Sequence, residues 1–189
     1  MSFLDTLYDR NEKFARTFDQ GDLAISPRHP TIVLTCVDSR VDPAHFLGLE
    51  LGDTLVLRNS GGRVTDDVEQ GVALLAGMTR LVAGDRAPRL SLAIVHHTDC
   101  GLERIAAPGP RQALSQSTGL EPELLETLAI SDHEASLRDD IERLRASDLV
   151  PSDLEVSGHL YDVASGRMTQ VVSPAPLNEV NTRLSNSST

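Results

Sequence analysis

The sequence predicts an α/β fold: a mostly parallel central sheet of about four strands plus an antiparallel edge strand, flanked by helices. Two observations carry this expectation. Short β-branched apolar runs alternate with longer stretches of helical periodicity, the pattern of repeated strand–helix–strand units. The core must also be mainly aliphatic, because the 189 residues include no Trp, two Tyr and four Phe. Strands buried on both faces of a parallel sheet have that composition.

The elements follow in order. Residues 1–24 read as a helical arm, with Phe3, Leu4, Leu7, Phe14 and Phe18 near helical spacing and Gly21 as a stop. Pro27 and Pro30 punctuate a loop. Thr31 to Val37 reads as a strand buried on both faces, with Cys36 at its C-terminal end. Asp42-Pro43 opens a short helix. Gly52-Asp53 turns the chain into a second strand, T-L-V-L-R, and N-S-G-G-R at 59–63 is a loop. Thr65 and Asp66 cap a helix over D-V-E-Q-G-V-A-L-L-A-G-M-T-R.

Gly84 to Pro88 lead into a third strand, L-S-L-A-I-V-H-H, which ends on His96 and His97. Residues 102–147 are mainly helical, interrupted by Pro108, Pro110 and Pro122. Leu154 to Val163 is a fourth strand, and Gly166 turns the chain into M-T-Q-V-V, the antiparallel edge. Residues 1–189 read as a single domain, with a frayed tail over 177–189.

The formal net charge of −11 argues against nucleic acid or an anionic membrane as partner. The N-terminal residues do not read as a secretory signal, and no apolar stretch has the length of a membrane helix. A cytoplasmic location is the expectation. In that compartment a disulfide between Cys36 and Cys100, the two cysteines of the chain, is not expected.

Those cysteines lie in C-V-D-S-R (36–40) and H-T-D-C-G (97–101), each at the end of a predicted parallel strand. Ligands bind beyond such ends in open α/β sheets. Cys36, His97 and Cys100 offer two thiolates and one imidazole, a donor set suited to Zn2+. Three protein ligands leave a tetrahedral position open, which suggests catalysis rather than a structural staple. Asp38 could be a fourth ligand or could accept a hydrogen bond from a coordinated water, and Arg40 could grip its carboxylate with a bidentate fork.

Simpler readings compete. An isolated His-x-x-Cys is more often incidental than a ligand pair, but here the other cysteine also sits at a parallel strand end. His96, one strand position from His97, points the other way and reads as a hydrogen-bonded second-layer or core histidine. Gly61-Gly62 belongs to no phosphate-binding pattern and reads as a turn near the site. Asp66 and Asp67 suit a helix N-terminus. His45, His133 and His159 read as surface or packing residues.

Together, C-x-D-S-R and H-x-x-C-G some sixty residues later resemble the β-class carbonic anhydrases, in their compact, archaeal-type branch. R-N-S-G-G at 58–62 resembles the R-N-A-G loop of that family, with Ser60 in place of its usual Ala. N-E-K-F-A-R-T-F at 11–18 resembles its N-terminal helix, and G-H-L-Y-D-V-A-S-G-R-M at 158–168 its last strand pair. The absence of Trp argues against the bicarbonate-regulated branch.

The resemblance implies Zn2+ on Cys36, His97 and Cys100, with Asp38 and Arg40 as a catalytic dyad acting on the fourth ligand. It implies reversible hydration of carbon dioxide to bicarbonate and a proton by zinc-bound hydroxide. It also implies a homodimer with the cleft at the subunit interface, the N-terminal helix reaching onto the neighbour, and tetramers in some members. Relatives on this scaffold hydrolyse carbon disulfide or carbonyl sulfide, so that substrate class is the alternative. A non-catalytic zinc-stabilised module is the third reading.

Overall fold

The computed structural model describes residues 3–179. Five strands form one sheet: β1 (Thr31–Cys36), β2 (Leu55–Asn59), β3 (Ser91–His97), β4 (Glu155–Asp162) and β5 (Arg167–Pro176), in the order β2-β1-β3-β4-β5. The first four run parallel, and β5 pairs antiparallel with β4. The expected architecture is therefore present, with an edge strand longer than M-T-Q-V-V suggested.

Among the described residues there are six α-helices: α1 (Asp5–Ala15), α2 (Pro43–Phe46), α3 (Asp66–Ala83), α4 (Pro108–Thr118), α5 (Pro122–Leu128) and α6 (His133–Ala146). Pro43, Pro108 and Pro122 are first helical residues, where a missing N–H has no intrahelical partner to lose. The prolines of the 102–147 region thus start helices rather than merely interrupt one. Asp42 caps α2 by accepting from the N–H of Ala44.

The helix of the N-terminal arm stops at Ala15, short of the expected Gly21, and buries none of its residues. Phe3, Leu4, Leu7, Phe14 and Phe18 are all exposed. Thr65 precedes α3 as expected, but its hydroxyl donates to Asp67 Oδ1 at 2.5 Å instead of capping the backbone.

One sheet face carries the main core. Ile32, Leu34, Leu92, Ile94 and Val156 pack there with Val68, Val72 and Ala76 of α3 and Leu137, Ile141 and Leu144 of α6. A second cluster gathers Val33, Cys36, Val41, Val95, Cys100, Ile130 and Tyr161. The loose tail expected from residue 177 does not begin there. Leu177 is buried in the main core, its N–H donates to the Leu154 carbonyl, and its own carbonyl accepts from Arg145 Nε. Residues 180–189 of the expected tail lie outside the described residues. Among the described residues, no helix is long and apolar enough to cross a membrane.

Candidate metal centre

The topology decides where the site falls. β1 pairs with β2 on one side and β3 on the other, so the chain order reverses across β1 and β3. Loops leaving two such neighbouring strands in opposite directions open a crevice at their carboxyl ends. Cys36 is the last residue of β1 and His97 the last of β3.

Cys100 arrives through a short turn after β3. Asp99 makes that turn at φ +55°, the one positive φ of a non-glycine residue among the described residues. The sulfurs of Cys36 and Cys100 and a ring nitrogen of His97 lie within 4.8 Å of one another, and all three residues are buried. The structure therefore brings the three predicted ligands together.

The local hydrogen bonds suit a cation. His97 Nδ1 donates to the Thr98 carbonyl at 3.0 Å, which leaves Nε2 with its lone pair. That Nε2 is buried without any hydrogen-bond partner. A buried polar atom left alone is costly, so an ion seated between it and the two sulfurs would satisfy it. Cys36 Sγ accepts the N–H groups of Asp38 at 3.4 Å and Gly61 at 3.2 Å, contacts that favour a thiolate.

The neighbouring Cys100 thiol holds Cys36 well below the usual thiol range, against the opposing effect of burial. Proximity to Cys36, together with burial, pushes Cys100 up. The two sulfurs are close enough to perturb each other, and a dication between them would favour both as thiolates. Burial alone would lower the His97 imidazole, but the adjacent Cys36 outweighs it and raises that group. Two sulfurs and one nitrogen match the donor set of zinc.

Asp38 and Arg40 sit beside this cluster as a bidentate pair. Arg40 Nε donates to Asp38 Oδ1 at 3.0 Å and Nη2 to Oδ2 at 2.7 Å, while the Arg40 N–H reaches Oδ1 at 2.9 Å. Arg40 therefore holds the Asp38 carboxyl well below the usual carboxylate range. Arg58, from the resembling R-N-S-G-G loop, braces the same segment by donating to the carbonyls of Cys36 and Asp38 at 3.0 and 2.9 Å.

Gly61 and Gly62 adopt φ +81° and +67°, and a Cβ on Gly62 would stand 3.0 Å from the backbone of Thr35 and Cys36. Glycine is required because the loop must lie this close to the Cys36 sulfur.

The four predicted non-ligand histidines also find places. His96 is fully buried on the opposite side of the strand from His97, with Nε2 3.2 Å from Asp140 Oδ2. His159 lies 2.9 Å from Ser157 Oγ, and His45 is exposed on α2. His133 is not simply a packing residue, since its Nε2 lies 2.9 Å from Glu103 Oε1.

The motifs did not reveal Asp99, which accepts Arg40 Nη1 at 2.8 Å, or Glu103, which accepts the Cys100 N–H at 2.9 Å. A clue for Asp99 was its type, since Asp tolerates positive φ better than most residues. Nothing local marked Glu103.

Comparison with known proteins fits this geometry. A family profile described as carbonic anhydrase matches residues 31–168, which span both motifs. Beta-carbonic anhydrase 1 of Mycobacterium tuberculosis is 28% identical over 171 residues, covering 90% of this chain and 99% of that protein. A carbon disulfide hydrolase of Acidianus sp. is 29% identical over 160 residues, covering 72% of this chain and 74% of that protein. The crystal structure of a carbonic anhydrase from Streptococcus mutans superposes with a TM-score of 0.75 at 33% identity, over 90% of this chain and 98% of that one. With fold, motif-bearing strands and sequence all in agreement, the chain belongs to the carbonic anhydrase family, in its β class.

Proposed function

We propose that this chain hydrates carbon dioxide reversibly to bicarbonate and a proton, using zinc held by Cys36, His97 and Cys100. The observation that carries the zinc assignment is the buried, unpartnered Nε2 of His97 beside two sulfurs, all within 4.8 Å. Bound there, zinc supplies a Lewis acid that makes water nucleophilic near neutral pH, as the three-histidine carbonic anhydrases illustrate.

The chain supplies the rest. Asp38, kept ionised by Arg40, can only accept a proton's hydrogen bond. Its Oδ1 already takes two N–H groups from Arg40, whereas Oδ2 takes one. Oδ2 is therefore the acceptor with a lone pair to spare, and we assign it to orienting the nucleophile. Val41, Val95, Ile130 and Tyr161, with Phe46 and Leu102 against them, form an apolar cluster around the cysteines. Such a wall favours a small uncharged gas and excludes bulk water.

Similarity to carbon disulfide hydrolases supports a second reading, hydrolysis of carbon disulfide on the same residues. Stopped-flow assays with each gas across pH, with zinc measured on the same sample, decide between them. Hydration of carbon dioxide at one zinc per chain supports the proposal. Stoichiometric zinc with hydrolysis of carbon disulfide alone favours the second reading. Never-chelated protein that is free of zinc overturns both.

The same proposal includes a homodimer in the cytoplasm. Support for the dimer is α1, which presents Leu7, Tyr8 and Phe14 to solvent and needs a surface to cover them. Two free cysteines suit a reducing compartment. Sedimentation equilibrium at a monomer mass of 20.4 kDa would overturn the dimer.

A further inference from the structure

We propose that Glu103 and His133 form a positioning pair that sets how tightly the Cys36–His97–Cys100 cluster retains zinc. The inference rests on the zinc assignment above. One oxygen, Glu103 Oε1, accepts both the Cys100 N–H at 2.9 Å and the His133 Nε2–H at 2.9 Å. A single atom thereby ties the loop carrying a ligand to the first residue of α6.

The loop needs such a tie. It reaches Cys100 through Asp99 at φ +55°, a conformation that persists only where surroundings enforce it. It continues into a short 3₁₀ helix, Gly101–Ile105, whose internal hydrogen bonds are of the weaker kind.

The helix can provide the tie. α6 is anchored by buried Leu137, Ile141 and Leu144, and by Asp140 on Arg63 Nε at 2.9 Å. Asp132 caps it through the Ala135 N–H at 2.7 Å. The His133 ring also meets His96 edge-on, with centroids 5.9 Å apart, so α6 also backs the strand end that carries His97. Rigid outer contacts of this kind hold ligands in register for the metal. What Glu103 contributes is an acceptor in a fixed place, which a glutamine carbonyl also offers.

The test loads wild type, E103Q, E103A, H133A and the double variant E103A/H133A with zinc, then follows its release to a chromophoric chelator. E103A and H133A should each lose zinc about tenfold faster, while E103Q stays near the wild-type rate. The double variant should be no faster than E103A, because the two residues act as one unit. E103A at the wild-type rate, E103Q as fast as E103A, or additive effects in the double variant would each overturn the pair. If E103A does not fold, H133A against wild type decides with the same two outcomes. Wild type that takes up no zinc overturns the assignment beneath the pair, a result distinct from failure of the pair alone.

Discussion

Asp99 grips the Nη1–Nη2 edge of Arg40, next to the Nε–Nη2 edge that holds Asp38. Its carboxylate takes Nη1 at 2.8 Å and its carbonyl takes Nη2 at 2.9 Å, while Arg104 Nη2 reaches its other carboxylate oxygen at 2.9 Å. The guanidinium that aligns Asp38 is itself held by a residue between two candidate ligands. Asp99→Asn keeps a residue tolerant of positive φ but removes the charge. It should retain zinc at one per chain and lose about tenfold in carbon dioxide hydration, measured by metal analysis and stopped flow.

Removing the dyad itself should be more severe. Asp38→Asn removes the lone acceptor charge, and Arg40→Ala frees the carboxylate to turn toward the metal position. Each should keep zinc yet lower turnover by about a hundredfold or more, the scale of a positioned proton acceptor. Full turnover in either variant would remove Asp38 Oδ2 from the mechanism.

Gly62→Ala should unfold more readily and hold metal less well. The residue sits at φ +67°, and its new Cβ would press on the backbone of Thr35 and Cys36. The conformation alone costs about 1–2 kcal/mol, read as a lower urea midpoint at unchanged slope.

Asp140→Ala should be the most destabilising of these changes. Asp140 and Arg63 have side-chain exposures of 2% and 7%, and the same carboxylate also serves His96. Removing it leaves a buried guanidinium without a counter-charge, at a cost of about 3–5 kcal/mol. Equilibrium urea unfolding of the metal-free protein measures it.

Asp53 should make stability pH-dependent. It accepts the Glu50 N–H and two N–H groups of Arg28, which hold its carboxyl below the usual carboxylate range. Folding favours its ionised form. Its contribution is therefore complete above the ordinary carboxylate pKa and is lost as pH falls through the lower, folded value. Asp53→Asn should melt below wild type at neutral pH, and the gap should close in acid. Melting curves across pH that stay parallel would contradict this.

Much of this molecule was legible in its residue order, for identifiable reasons. Strand β1 could be read because T-I-V-L-T-C is a short β-branched run, and α2 because Asp42-Pro43 is a local start signal. Cys36 and His97 could be assigned to one rim because parallel strands end on the same side. The arm was harder to read. Its helical spacing extends past Ala15, but no residue of α1 is buried against the body to prolong the helix there. Leu177 looked like part of a polar tail because its burial depends on distant Leu154 and Arg145, not on its neighbours.

By itself the sequence determined the order of strands and helices, the two motifs and the donor types, because each depends on residues close together in the chain. Only the tertiary structure decided which side chains stand behind those motifs. Arg40 meets Asp99 across 59 positions, His133 meets Glu103 across 30, and Arg63 meets Asp140 across 77. Such pairs leave no local period or spacing, since they form only where packed elements bring their surfaces together.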